Sequence, residues 1–341
     1  MDKASGRLTL IGAVALAGLA GGAWTLSRRL RGRKLVVSGD AASSGGDSGG
    51  VTGTTPNAVA GRLESHVRML AETLSPRDHH HTENLDRVAA YIRAELEQAG
   101  GRTSEQTYRV DGKTYHNVVA AFGPETPERV VVGAHYDAAG PYPAADDNAS
   151  GVAGLIELAH RLKDTQLPLR VEMVAFTLEE PPHFGTDRMG SAVHAASLRK
   201  KGVAVRAMIS LEMIGYFSDK PNSQDYPVPA LKATYPSEGN FIAVVGRADE
   251  TAVIRRIEDA MRKASALPVR SLAAPATVPG IALSDHRNYW DAGYPAVMIT
   301  DTSYYRNPNY HTPHDKPETL DYDRMALVVD GVHSAIQVLC E

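Results

Sequence analysis

A single cysteine, Cys340, stands in a chain of 341 residues. No disulfide within the chain is possible, and no thiolate zinc site either. Any metal must be held by His, Asp and Glu. The absence does not fix the compartment. Excess positive charge is also missing. The formal net charge is −4, so nothing points to a nucleic-acid surface. No internal repeat is visible. Hydrophobic content of 43% and charged content of 22% are ordinary for a globular protein. The length suits one large α/β domain or two smaller ones.

Leu8 to Leu26 carries no charge and is just long enough to span a bilayer. Lys3 and Arg7 precede it; Arg28, Arg29, Arg31, Arg33 and Lys34 follow. Basic residues directly after a cleavage site hinder export, so residues 8–26 read as a retained single-pass anchor rather than a signal peptide. The heavier positive charge on the C-terminal side places the main domain in the cytoplasm by the positive-inside rule. Residues 35–55 are Gly/Ser-rich and read as a flexible tether. The folded domain is expected over residues 56–341.

Apolar periodicity predicts helices from Val59 to Leu74 and from Leu85 to Leu96, with Pro76 to Thr82 as the break. His79-His80-His81 in that break reads as a solvated turn, since consecutive residues cannot all face one ion. Asp111-Gly112 marks a hairpin within Arg102 to Phe122. Strands follow into His135, over Arg170 to Leu178, Val205 to Glu212, Phe241 to Val245 and Ala296 to Thr300. Helices are predicted from Ser150, over Thr186 to Lys200, Glu250 to Ala266, a short one capped by Ser284 through Trp290, and Asp321 to Val338. Strands alternating with helices predict an α/β fold: a mixed, mainly parallel central sheet with helices on both faces. Asp219 to Pro236 and Ser271 to Gly280 are Pro-rich, irregular and expected to wall a pocket.

The chemistry gathers at strand ends. Val130-Val131-Val132 is a short apolar run, as in a strand buried on both faces. It leads to His135-Tyr136-Asp137. Residues two apart in extended chain share a side, so the Asp137 carboxylate is placed to orient one nitrogen of His135 while the other faces a metal. Asp146-Asp147 then sit at the start of a helix, where the dipole favours negative charge. Two further strands end in acids, at Glu179-Glu180 and at Glu212. In open α/β sheets, sites lie beyond the carboxyl ends of the strands. Neighbours on an extended segment point opposite ways, so Glu179 and Glu180 can divide two tasks. His311 lies in a Tyr/Asn/Pro-rich loop with no apolar face to serve.

In order along the chain stand GAHYD, DDNASG, EE before a Met-Gly-Ser helix, LEMIGY, SDHRNYWDAGYPA and YHTPHD. This ordered set resembles the di-zinc aminopeptidase family, of the bacterial leucyl aminopeptidase type among clan MH metallopeptidases. The resemblance runs from about Pro56 to Glu341. It implies a zinc exopeptidase-like fold and a zinc-dependent exopeptidase, foremost an aminopeptidase with peptides as substrate. It implies two zinc ions, one on His135 and Glu212, the other on Glu180 and His311, with Asp147 bridging. It implies Glu179 as general base and later acid, Tyr310 as support for the tetrahedral intermediate, Asp137 as the partner of His135, and Asp285 as structural support. It further implies a cis peptide bond between Asp147 and Asn148, and a catalytic domain outside the cytoplasm, against the charge bias. One departure is Glu212, at a position that is often Asp.

Other readings stay open. A carboxypeptidase needs a cation for the substrate carboxylate; Arg306 is near His311 in sequence but reads as a surface arginine. A glutaminyl cyclase needs one zinc on Asp, Glu and His. A non-catalytic binding module is marked by loss of ligands or base, all of which are present.

Overall fold

A computed structural model describes residues 56–341. The expected anchor and tether, residues 8–26 and 35–55, lie outside the described residues. Among the described residues no helix is long and apolar enough to cross a membrane.

The chain opens with α1 (Pro56–Arg68), an irregular turn (Met69–Thr73) and α2 (Thr82–Gln98). It continues through β1 (Arg102–Val110), β2 (Lys113–Phe122), β3 (Glu128–His135), α3 (Gly151–Leu162), β4 (Arg170–Phe176), α4 (Gly190–Lys200) and β5 (Ala204–Glu212). Then come α5 (Pro229–Thr234), β6 (Ile242–Arg247), α6 (Thr251–Ala264), β7 (Val269–Ala274), α7 (His286–Asp291), β8 (Ala296–Thr300) and α8 (Tyr322–Cys340). Asp111 and Gly112 turn the β1–β2 hairpin in the left-handed region, as their residue types foretold.

All strands join one sheet in the order β1-β2-β4-β3-β5-β8-β6-β7. The inner strands β4, β3, β5 and β8 are mutually parallel. β2 pairs antiparallel with β4 and β6 antiparallel with β8. The sheet is therefore mixed and mainly parallel, as expected. Strand alternation assigns the two faces. Val130, Val132 and Ala134 of β3 pack with apolar residues of α1, α2, α3, α6 and α8. Val131 points the other way and packs with residues of α4 and α7. Helix α3 is buried on nearly every side, and its apolar composition suits that position.

Several boundaries differ from the sequence reading. Strand β7 was not foreseen; it is an edge strand whose side chains are only partly buried, so it lacks a clear apolar pattern. Helix α4 starts at Gly190, because Met189 is extended. Ser284 does not cap α7, and the residue at its N-terminus makes no side-chain cap bond. Asp321 does cap α8, accepting the N–H of Arg324.

Candidate metal centre

The parallel strands deliver their carboxyl ends to one edge. His135 ends β3, Glu212 ends β5, and Glu179-Glu180 follow β4. His135, Asp147, Glu179, Glu180 and Glu212 are all buried, and His311 is half-buried. His135 Nε2 lies 3.4 Å from Asp147 Oδ1, 3.4 Å from Glu212 Oε2 and 3.9 Å from Glu179 Oε2. His311 Nε2 lies 3.0 Å from Asp147 Oδ2 and 3.3 Å from Glu180 Oε2. Asp147 thus offers one oxygen to each imidazole. His135–Asp147–Glu212 and Asp147–Glu180–His311 each form a triad able to hold an ion.

These short approaches are not hydrogen bonds. Nε2 of both His135 and His311 lacks a hydrogen-bond partner, as does Glu180 Oε1. Buried polar atoms without partners are costly. Ligands about 2.0–2.1 Å from a tetrahedral zinc lie roughly 3.3 Å from one another. The observed spacings match that figure, and the nitrogen and oxygen donors suit zinc. The residues present fit the metal.

The electrostatics show how crowded the carboxylates are. Burial pushes Glu179 well above the ordinary carboxylate range, with Glu180 and Glu212 adding to the rise over the opposing pull of His135. Burial and Asp147 push Glu180 up to about 8. Burial also raises Glu212. Burial opposes charge on His311, yet Asp147 and Glu180 outweigh it and raise its pKa to about 10. Such a cluster calls for cations.

The supports act mainly through backbone. Asp137 accepts the N–H groups of Glu179 and Glu180, 3.1 Å each. Its Oδ1 is 3.6 Å from His135 Nδ1, which lies closer, 3.2 Å, to the Asp137 carbonyl oxygen. Asp315 repeats the device, accepting the N–H of Asp146 at 2.9 Å and of Asp147 at 3.1 Å. The Asp147–Asn148 bond is cis. Asn148 Oδ1 accepts N–H groups of Gly151 and Met213, and its Nδ2 donates to the Leu211 carbonyl. A Cβ on Gly151 would stand 2.3 Å from Asn148 Oδ1, so glycine is required there. Ser284 donates to Glu212 Oε2 at 2.7 Å; that is its task in place of a helix cap.

Other residues were missed or misjudged in the sequence. Arg77 is buried and donates to the carbonyls of Leu70, Tyr136, Pro143 and Ala144, which fixes the loop between β3 and Asp147. Burial lowers its pKa to about 10. Asp146 accepts from Gly215 and Asn307 and is raised well above the carboxylate range by burial and by Asp301. Arg306 is not a surface arginine. It is 5% exposed, donates to Gln224 and the Tyr216 carbonyl, and lies over Phe217 and Phe241. Asp285 is fully buried, its carboxylate is without a hydrogen-bond partner, and burial pushes its pKa up to about 7. Tyr310 stacks on His311 with ring centroids 3.7 Å apart, and burial raises its phenol.

Beside the acids opens a cavity of about 230 Å³. Its walls include Tyr226, Leu231, Tyr235, Phe241, Leu272, Ile281 and Met298, with Tyr304, Tyr305 and Tyr310 also lining it. Both stretches expected to wall a pocket contribute.

Residues 117–336 match the model of peptidase family M28. The chain belongs to that family. It is 47% identical over 288 residues to the uncharacterized protein YfbL of Escherichia coli (strain K12), covering 82% of this chain and 88% of that protein. It is 28% identical over 220 residues to the probable leucine aminopeptidase 1 of Trichophyton verrucosum, covering 62% of this chain and only 54% of that protein. In fold it is similar to the zinc aminopeptidase BSAP of Bacillus subtilis, with TM-score 0.66, 16% identity, and coverage of 81% and 94%. The glutaminyl cyclase of Bacteroides thetaiotaomicron is similar too, with TM-score 0.62, 19% identity, and coverage of 82% and 97%. As an M28 protein the chain is assigned to the metallopeptidases.

Proposed function

We propose that this M28 protein is an aminopeptidase that uses two zinc ions to release N-terminal residues from peptides. The observation that carries the reading is the division of Asp147: Oδ1 faces His135 and Oδ2 faces His311, and both imidazole Nε2 atoms lack other partners. One ion is assigned to His135, Asp147 and Glu212, the other to Asp147, Glu180 and His311. Bound there, zinc polarises a peptide carbonyl and acidifies water.

The chain's own residues do the rest. Glu179 is the one acid of the cluster outside those five ligands. Its Oε2, 3.9 Å from His135 Nε2, places it beside the centre to take a proton from the attacking water and return it to the departing amine. The Tyr310 hydroxyl, kept protonated by burial, donates to the carbonyl oxygen as negative charge develops. Asp137 and Asp315 hold the ligand segments by accepting their backbone N–H groups, and Asp285, buried at the N-terminus of α7, is assigned to structural support. The cavity receives an apolar N-terminal side chain.

Arg306 bears on the carboxypeptidase alternative. It is engaged by Gln224 and Tyr216 and does not line the cavity, whereas Arg270 does, so the cation that reading needs falls to Arg270 rather than Arg306. The cyclase alternative needs a single zinc, whereas two imidazoles here each claim one Asp147 oxygen.

We also propose that residues 8–26 anchor the peptidase domain, 56–341, in a membrane through the linker 35–55, with catalysis outside the cytoplasm. Protease accessibility in intact and opened cells tests the side: a domain shielded until lysis would place it inside.

A substrate panel tests the activity. Free-amine dipeptides with an apolar first residue should release amino acid, and N-acetylated and C-terminal-release substrates should not. Turnover only of N-terminal glutamine peptides, with loss of ammonia, would contradict the reading.

A further inference from the structure

Two turns outside the carboxylate-rich centre bring three imidazoles together. His79 and His80 lie in the break between α1 and α2. His183 lies three residues after Glu180. The rings of His79 and His80 are 3.9 Å apart, and those of His79 and His183 are 5.3 Å apart at 90°. We propose that His79, His80 and His183 form a second binding site, for a divalent transition-metal ion such as Zn²⁺ or Ni²⁺, which fastens the Asp78–His81 turn to the loop carrying Glu179 and Glu180.

The three side chains are available. The neighbouring His81 is already taken, its Nδ1 2.8 Å from Asp78 Oδ2. No side-chain hydrogen bond or ion pair holds His79, His80 or His183 among the described residues, although the backbones of both turns are held. The buried Asp78 also accepts the N–H of His80 at 2.9 Å, and the His79 carbonyl accepts the Tyr115 hydroxyl at 3.2 Å. On the other turn, the N–H of His183 donates to the Glu180 carbonyl at 3.0 Å. The carbonyl of His183 accepts from the N–H and hydroxyl of Thr186. Both backbones are therefore fixed while their imidazoles are free, which lowers the ordering cost of binding.

The spacing suits one ion for two of the three rings, and the third must turn to join them. Two imidazoles on a tetrahedral ion, with nitrogens about 2.0–2.1 Å away, set their ring centroids roughly 5 Å apart. The His79–His183 pair has that separation. His80 is stacked too closely on His79 to bind beside it unchanged, but it is exposed and free to turn. An all-imidazole set selects zinc, nickel or copper over calcium or magnesium.

Charge does not oppose occupancy. His79 is faced by Asp78, Lys113, His80 and His183, and His183 by Asp137, Asp111 and Arg188. Arg188 is already paired with Asp111 at 2.8 Å. Burial lowers the pKa of His79, which favours its neutral, ligating form. Phe184, next to His183 in the chain, and Pro181 line the substrate cavity.

Calorimetric titration with Ni²⁺ and with Zn²⁺ tests the site, on full-length protein dialysed free of loosely held metal. The wild type should take up one further equivalent, and Ni²⁺ should broaden the ring resonances of His79, His80 and His183. His79→Gln/His183→Gln should lose that uptake while keeping its tightly held metal. His80→Gln, at an exposed position, should weaken it at least about tenfold. No further uptake by the wild type, or unchanged uptake by His79→Gln/His183→Gln, would overturn the site. Should that double variant not fold, His80→Gln and the wild-type resonances decide. The readout is the difference from wild type at constant tightly held metal, so failure here leaves the carboxylate-rich centre untouched.

Discussion

Asp137 holds Glu180 by its backbone: the carboxylate accepts the Glu180 N–H at 3.1 Å, and the Glu179 N–H at the same distance. A residue chosen for its closeness to His135 thus orients Glu179, the proposed base, and Glu180, which faces His311. It ties the end of β3 to the end of β4, and so links the two halves of the centre.

Asp137→Asn should loosen that link. The amide retains one acceptor oxygen where the carboxylate had two, and hydrogen bonds to a charged group are worth about 1.5–3 kcal/mol. Loss of such a support costs about 10–100-fold in metal affinity. Chelator competition should show a drop of that size with the fold intact; unchanged affinity would reduce Asp137 to a packing residue.

Glu179→Gln separates chemistry from assembly. The amide cannot take a proton, and removing a general base costs on the order of 10² to 10⁴ in rate. Metal content and thermal stability should be retained while kcat falls by that factor. Near-normal kcat would move the base elsewhere.

Three of the proposed ligands were legible in the sequence because each stands where a short apolar run stops: Val130 to His135, Arg170 to Glu180, Val205 to Glu212; Asp147 and His311, in loops, were placed by the resemblance. The supports were not legible. Asp315 appeared within YHTPHD without a task, since it acts on the N–H groups of Asp146 and Asp147, and backbone partners leave no spacing signal. Arg77 acts on four carbonyls and was invisible for the same reason. Arg306 was misplaced because a Tyr/Asn/Pro-rich loop gives no sign of the Phe217 and Phe241 rings that bury it. The cluster at His79 depends on His183, more than a hundred residues away, which no local pattern reveals. Strand β7 escaped because an edge strand with half-buried side chains has no strict alternation.

Buried histidines away from the centre, His194 and His286 among them, set an acid limit on stability. Burial lowers His194 and His286 to about 4. His194 Nδ1 is 2.7 Å from the Tyr289 hydroxyl, and His286 Nε2 is 2.7 Å from the Ile281 carbonyl oxygen. Unfolded, each titrates near 6.5. Below that pH the unfolded chain binds more protons, so their contribution is complete above about pH 6.5 and is lost as pH falls through about 4. Each amounts to on the order of 3 kcal/mol over that range. Urea midpoints should fall steadily from pH 7 to pH 4.5, with a shallower slope in His194→Gln. Equal slopes would remove His194 from the account.

The count of tightly held zinc per active chain tests the central claim most directly. Elemental analysis of dialysed, active protein should give two zinc per chain. Asp147→Asn should lose both zinc and peptide hydrolysis, because Asp147 alone offers an oxygen to His135 and another to His311. A fully active wild type holding one zinc, or none, would contradict the two-metal aminopeptidase.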